Sequence, residues 1–414
     1  MADSDASAKF PFLKLRGDLP CFNDWATFAV DRQQDKVYMY GGVRPGDENN
    51  LPTNDFYSLN LETRQWINHT MSLKFIPRSY MLDPFCKKDS PLQPRSLPEL
   101  TEATCAFIEV AGGRFVLLFG GYDLEAEGPT SRLIAIDLDL ETWWFVDVRG
   151  TSIRPRMTAS MVAIKNRLFI FGGRDNFETG SPTIGTYSIA EYTPESQWTW
   201  RVSDALMPGE LPSLGYGIQC VPVFNGQKIL LFNGRSNDQL IDLSPSSTIF
   251  FHTENYTFQD ARTTVGDFPK GISWYQIASV TTNETLPHPL SLKRRRGTNS
   301  LPIQHPSFRD SVLIVAWVTV HSQGKDTVSP EVWQYFLPPA ERIRCLGVGA
   351  KVFYPDIWPE AFVCSGNRLL FLASRSEGHA RRGEDAEMET DEPRPSQRWD
   401  TAVEMPLEHL EERT

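Results

Sequence analysis

The chain has 414 residues, 40% of them hydrophobic and 22% charged, with a formal net charge of -11; this is a globular profile of one to three domains and excludes a disordered scaffold. MADSDASAKF at the start has no apolar signal core, and the longest apolar run, Val312 to Val318, is far too short to span a bilayer. A soluble cytoplasmic chain is therefore expected, with no membrane partner, and the acidic balance argues against a nucleic-acid partner, which would call for a basic face.

Taken along the chain, the elements repeat. "WATFAVD" from Trp25 is a short strand, followed by "VYMYGG" at Val37 to Gly42, which ends in two glycines. A polar loop leads to a third strand and a tryptophan in "NDFYSLNLETRQW", Asn54 to Trp66. The same order returns with "TCAFIEV" from Thr104, "VLLFGG" at 116 to 121 and "SRLIAIDLDLETWW" from Ser131. It returns again with "TASMVAI" from Thr158, "LFIFGG" at 168 to 173 and "GTYSIAEYTPESQW" from Gly185. Each unit reads as four short antiparallel strands, and sheets this small are stabilised by radial stacking around an axis.

Glycine accepts positive φ, so a double glycine lets the backbone leave the second strand in a tight turn. Bulky aromatics in the third and fourth strands are expected to pack between neighbouring sheets.

These residues resemble the kelch repeat, whose marks are a double glycine after the second strand, a tyrosine in the third and a tryptophan opening the fourth. Units one and three carry Gly41-Gly42, Tyr57, Trp66 and Gly172-Gly173, Tyr187, Trp198; unit two carries Gly120-Gly121 and Trp143, with Ile136 read in the tyrosine position. The resemblance implies an all-β kelch-type β-propeller.

Beyond residue 216 the pattern weakens. Unit four has "GIQCVPV" from Gly217 and "ILLFNG" at 229 to 234, with "STIFFHTENYTF" and "ISWYQIASV" read as its third and fourth strands. "SVLIVAWVTV", "EVWQYFL" and "RIRCLGV" form a fifth unit without glycines at the turn, and "AFVCSG" with "NRLLFLAS" begin a sixth. The reading is six four-stranded blades over residues 9–376, with five or seven left open. "KFPFLKL", Lys9 to Leu15, supplies the outer strand that closes the last blade. Residues 377–414 carry twelve acidic and five basic side chains and read as a disordered acidic tail.

Connections after every second and every fourth strand emerge on one face, which is the expected partner surface. Three of its loops bring an arginine close to the turn, Arg44, Arg174 and Arg235, accompanied by Asp123, Asp175, Asn176, Asn237 and Asp238. Guanidinium forks suit carboxylate or phosphate recognition; the competing reading is solvated charge or salt bridges between blades. "LKRRRG", with Lys293, Arg294, Arg295 and Arg296, is placed in a loop between blades four and five on the same face. It reads as an acidic-partner contact, a nuclear-import signal or plain solvated charge, and the acidic tail is expected to fold back onto it.

Chemistry has thin support. Six cysteines without CxxC spacing are expected as thiols, and Cys105, Cys220 and Cys364 fall in first strands, where small buried hydrophobes are the ordinary role. The seven histidines form no local ligand cluster, and neither GxSxG nor HExxH occurs. No catalytic, cofactor or metal residue is assigned and no cofactor is expected. The reading is a non-enzymatic scaffold or adaptor binding a protein partner through the loop face. The alternative is a galactose-oxidase-like propeller enzyme or small-molecule binder with a site near the central channel. Kelch chains often add a BTB or F-box module; with the propeller filling most of these residues, an effector function is expected from a partner chain.

Overall fold

The computed structural model describes residues 12–21, 25–44, 51–77, 94, 96–176, 185–206, 216–232, 234, 248–260, 264–270, 272–279, 311–322, 325–340, 342–348, 357–365, 368–375 and 401–406. The described residues are all-β. The first sheet holds Thr27–Asp31, Lys36–Tyr40, Phe56–Asn60 and Gln65–Asn68, each antiparallel to the next. The second holds Thr104–Val110, Gly113–Phe119, Leu133–Asp137 and Thr142–Val146, and the third Ser160–Ile164, Arg167–Phe171, Thr186–Thr193 and Gln197–Leu206. In each, a run of apolar residues is buried in the second and third strands because both faces of the sheet are covered by neighbours.

The later sheets correct the sequence reading. Both outer strands of the fourth, Thr248–His252 and Phe258–Asp260, come from "STIFFHTENYTF" and its continuation, behind Gln219–Val223 and Lys228–Phe232. Ile272–Ser279, expected as that unit's fourth strand, is instead the first strand of the fifth sheet, followed by Ser311–Ser322, Lys325–Phe336 and Arg342–Val348. The cause is the tight turn of the fourth sheet, where Tyr256 N donates to His252 O at 3.0 Å and reverses the chain within a few residues. The fifth sheet lacks the double glycine because its second and third strands run on for twelve residues each and meet in a hairpin, paired out to Ser322 and Lys325. A strand that continues straight has no left-handed exit to make.

The sixth sheet is built from both ends of the sequence. Ile357–Ser365 and Arg368–Arg375 are followed by Thr401–Pro406, and Phe12–Lys14 completes the edge with Phe12 opposite Val403. The N-terminal strand thus closes the last blade as expected. Thr401–Pro406 overturns the reading of everything beyond residue 376 as a disordered tail: Ala402 and Val403 are fully buried. Six residues of strand were hidden in an acidic stretch whose composition masked their pattern.

The cores lie between sheets. Leu13, Leu372 and Ala402 of the sixth sheet pack with Val37, Met39, Leu59 and Trp66 of the first. Tyr40 and Phe56 of the first pack with Trp143 of the second, and Ala106 and Leu117 of the second with Trp198 of the third. Clusters of the same kind join third to fourth and fourth to fifth. This radial succession is the propeller, and the three tryptophans sit where expected, each fully or almost fully buried.

The tyrosine equivalence does not hold. Tyr57 faces Met39 whereas Tyr187 faces Phe171, the residue just before the glycines, and Ile136 faces Val116 well inside the strand. Counted from the glycines, the counterparts of Tyr187 are Phe56 and Leu133. Residue type misleads here: Phe56 and Tyr57 are adjacent in the first sheet, and the aromatic opposite the residue just before the glycines is Phe56 rather than the tyrosine.

Candidate functional site: the loop face

The second-to-third connections and the connections between sheets share one face, and their backbones are stitched together. All six glycines of the three turns that follow the second strands have positive φ, from 65° at Gly172 to 108° at Gly173, as the turn requires. A second reason was not visible in the sequence. A Cβ at Gly41 or Gly120 would run into the carbonyl oxygen of Leu100 or Arg156, residues of the connection leading into the next sheet. The neighbouring glycine uses the same carbonyl: Gly42 N donates to Leu100 O at 3.3 Å and Gly121 N to Arg156 O at 2.9 Å. In the third sheet Met157 and Arg174 exchange two hydrogen bonds of 2.9 Å. Leu100–Thr101, Tyr122–Asp123 and Gly128–Pro129 add a small three-stranded sheet on this face.

A second pattern lies where the first strands converge. Trp25, Glu102, Thr158 and Gly217 each stand two residues before a first strand, and their φ values are 62°, 55°, 52° and 66°. Thr158 N donates to Glu102 O at 2.9 Å and Gly217 N to Thr158 O at 3.0 Å, so these leads are hydrogen-bonded in series. Only one of the four is glycine, which is why the position is invisible to a search for turn residues.

The arginines expected to meet a ligand are engaged within the fold. Arg174 Nη2 lies 2.8 and 3.0 Å from the two oxygens of Glu102, and its guanidinium carbon is 4.8 Å from the Tyr216 ring centroid. Arg174 therefore ties the third sheet to the leads of the second and fourth. Burial pushes the Glu102 carboxyl above the usual carboxylate range, and the Arg174 charge offsets part of that rise. Arg44 pairs with Asp55 at 3.2 Å within its own loop, and Asp123, almost fully buried, takes Arg132 at 3.3 Å and caps the turn amides of Glu125 and Ala126. Asp175 is exposed and Asn176 half-buried.

Arg235, Asn237, Asp238 and Lys293, Arg294, Arg295 and Arg296 lie outside the described residues. The strands flanking 293–296 are the first and second of the fifth sheet, so this segment does not connect blades four and five. Ser279 and Ser311, the described residues on either side of it, stand at the end of the fifth sheet opposite to the loop face.

Arg156, which the sequence reading passed over, is the most deeply placed cation of this face among the described residues. Fully buried, it donates from Nη1 to Gly172 O at 3.2 Å and Thr186 Oγ1 at 3.3 Å, and its Nη2 pairs with Asp204. Burial lowers its pKa, and Asp204 offsets part of the shift. Asp204 also receives Ser188 Oγ at 3.3 Å and the Arg154 amide at 2.8 Å.

Two arrangements with catalytic elements prove structural. Ser58 Oγ is 2.8 Å from His69 Nε2, and His69 Nδ1 is 3.7 Å from Glu141, the order of a hydrolase triad. Ser58, however, is 4% exposed in the third strand of its sheet, so its hydroxyl belongs to the packed sheet rather than to an open site. Cys105 and Cys220 sit in first strands beside Thr27 and Ser160, and burial pushes both thiols up to about 12. They are protonated at neutral pH and act as small core residues. Among the described residues no group of three or more His, Cys, Asp or Glu side chains is placed to hold a metal ion.

Radial sheets of four antiparallel strands, extended in the first and second by a short parallel strand at Arg16–Gly17 and Lys74–Phe75, a glycine-turned loop face and inter-blade tryptophans define a repeat propeller. The family described as the KLHDC2/KLHL20/DRC7 Kelch-repeats domain matches residues 78–286, half of the sequence. The chain belongs to the kelch-repeat family. It is similar to the Rab9 effector protein with kelch motifs of Mus musculus, with 24% identity over 246 residues, 58% of this chain and 55% of the relative. To the Bos taurus protein of the same name it is 26% identical over 236 residues, 56% of this chain and 53% of the relative. The chain thus spans about half the length of the curated relatives it matches.

Proposed function

We propose that this chain is a non-enzymatic interaction module, a six-bladed kelch propeller whose loop face binds a folded protein partner, and that the partner is a Rab-class small GTPase. The observation that carries the reading is the stitching of the loop face. Arg174, Arg156, Arg132 and Arg44 are engaged by Glu102, Asp204, Asp123 and Asp55. A face locked in this way offers a fixed relief to a partner of complementary shape, the ordinary basis of protein–protein recognition without large rearrangement.

The choice of a GTPase is supported by the relatives, which carry Rab9 effector in their names. An effector distinguishes nucleotide states because the γ-phosphate orders the switch segments of the GTPase. The test is calorimetry of the purified chain against Rab9 loaded with GDP or with a non-hydrolysable GTP analogue. Saturable binding of the GTP form, weakened by Asp175→Arg on the loop face, is expected. Absence of binding to either form excludes this GTPase. Binding unaffected by Asp175→Arg and by further charge reversals on the exposed loops places the interface elsewhere.

A further inference from the structure

We infer that Trp25 is the apolar anchor through which the partner docks over the convergence of the first strands. The inference rests on the interaction reading above. Trp25 stands in register with Glu102, Thr158 and Gly217, and all four backbones are left-handed. At the other three positions the conformation is fixed by the serial hydrogen bonds between leads, whatever the side chain: a carboxylate, a hydroxyl and no side chain at all satisfy it. The fold therefore asks for a backbone here and leaves the residue type open.

Tryptophan is a poor answer to that demand. In the left-handed region Cβ crowds the following carbonyl, so glycine or asparagine would adopt this φ at lower cost. Core packing does not compensate, because Trp25 is 62% exposed while Trp66 and Trp143 are at 0%. A large ring thus sits in open solvent on a strained backbone, on the face where the loops gather. Arg64, Ala111 and Lys165 are left-handed and exposed as well, so the backbone alone does not single out Trp25; what does is the large ring carried there, and tryptophan is the residue most enriched at the energetic centres of protein interfaces. A lipid surface fits less well, since membrane-seated tryptophans are accompanied by lysine and arginine, whereas the loop-face arginines described above are ion-paired and the chain carries a net charge of -11.

The variants are Trp25→Gly and Trp25→Asn, with Thr158→Gly as the control that relieves the same backbone elsewhere. Each is measured for melting temperature and for affinity to Rab9 bearing the GTP analogue. Expected are an unchanged or higher melting temperature in all three, and at least a tenfold loss of affinity in the Trp25 variants alone. Wild-type binding with equal affinity in the Trp25 variants overturns the anchor while leaving the GTPase reading intact. Failure of the wild type to bind overturns both. A clear fall in melting temperature of both Trp25 variants also overturns the anchor, as the ring would then be serving the fold. So does a Trp25 requirement seen only with phosphatidylserine vesicles.

Discussion

Arg174 and Glu102 form a buried fork between two blades, with one guanidinium nitrogen 2.8 and 3.0 Å from the two carboxylate oxygens and side chains 15% and 5% exposed. At this depth, removing one partner leaves the other charged and desolvated. Arg174→Ala should therefore cost about 3 kcal/mol or more, against roughly 0–1 kcal/mol for an exposed pair. Arg174→Lys should recover only part of it, because the ammonium does not reproduce the planar guanidinium's contact with the Tyr216 ring. Urea unfolding of the three proteins measures both effects; a loss near zero for Arg174→Ala would show that the fork does not hold the blades.

The same carboxyl predicts a pH signature. Its pKa is raised in the folded chain, mainly by burial and despite Arg174, so the native state holds the proton more tightly than the unfolded one. Its contribution is fully present below the ordinary carboxylate pKa and is lost as pH rises through the raised value. The stability of wild type relative to Glu102→Gln should fall as pH climbs from about 4 through that window. A difference independent of pH would contradict the assignment.

Arg156 offers a sharper case, since its fully buried guanidinium joins Gly172 O, Thr186 and Asp204 at once. Arg156→Met keeps the apolar stem and removes the charge, leaving Asp204 with less compensation; a loss of about 3–5 kcal/mol is expected. In Arg156→Met/Asp204→Asn the loss should be smaller than the sum of the two single effects. Additive losses would mean that the pair is not coupled.

Gly120 is held at φ 67° with the Arg156 carbonyl where a Cβ would go, while Gly185 has nothing within 4 Å of that position. Gly120→Ala should destabilise by about 2 kcal/mol or more, combining left-handed strain with a backbone collision. Gly185→Ala should be close to neutral. Thermal unfolding of the two variants compares them directly, and equal melting temperatures would remove the steric reason for the double glycine.

The parts of the fold that the sequence displays are those in which one residue type answers one physical demand. Double glycines marked three turns, Trp66, Trp143 and Trp198 marked three inter-blade cores, and the apolar run near Lys9 announced a closing strand. What stayed hidden were relations set by partners distant in sequence. Arg156 meets Asp204 and Glu102 meets Arg174 across 48 and 72 positions, and no local pattern distinguishes these arginines from solvated ones. The left-handed leads were hidden because Trp25, Glu102 and Thr158 are not residue types that advertise it, and at Glu102 and Thr158 the conformation is tied to hydrogen bonds between leads far apart in sequence. The assignment of strands in the fourth and fifth sheets failed for a different reason: alternation identifies a strand but not the sheet to which it belongs.

The pairing of Phe12 with Val403 also governs how the molecule comes into being. During synthesis the strand that holds Phe12 is made well before its hydrogen-bonding neighbour, which follows only after the other sheets. Leu13 and Leu15, buried in the finished ring, must wait without that neighbour while the intervening sheets are translated, at a pace of about 5–20 residues per second. Over that interval the nascent chain presents an apolar edge to the cell, and a ribosome that stalls before residue 401 leaves a row of sheets with two raw flanks. Quality control that recognises such flanks would sense whether translation had reached the closing strand.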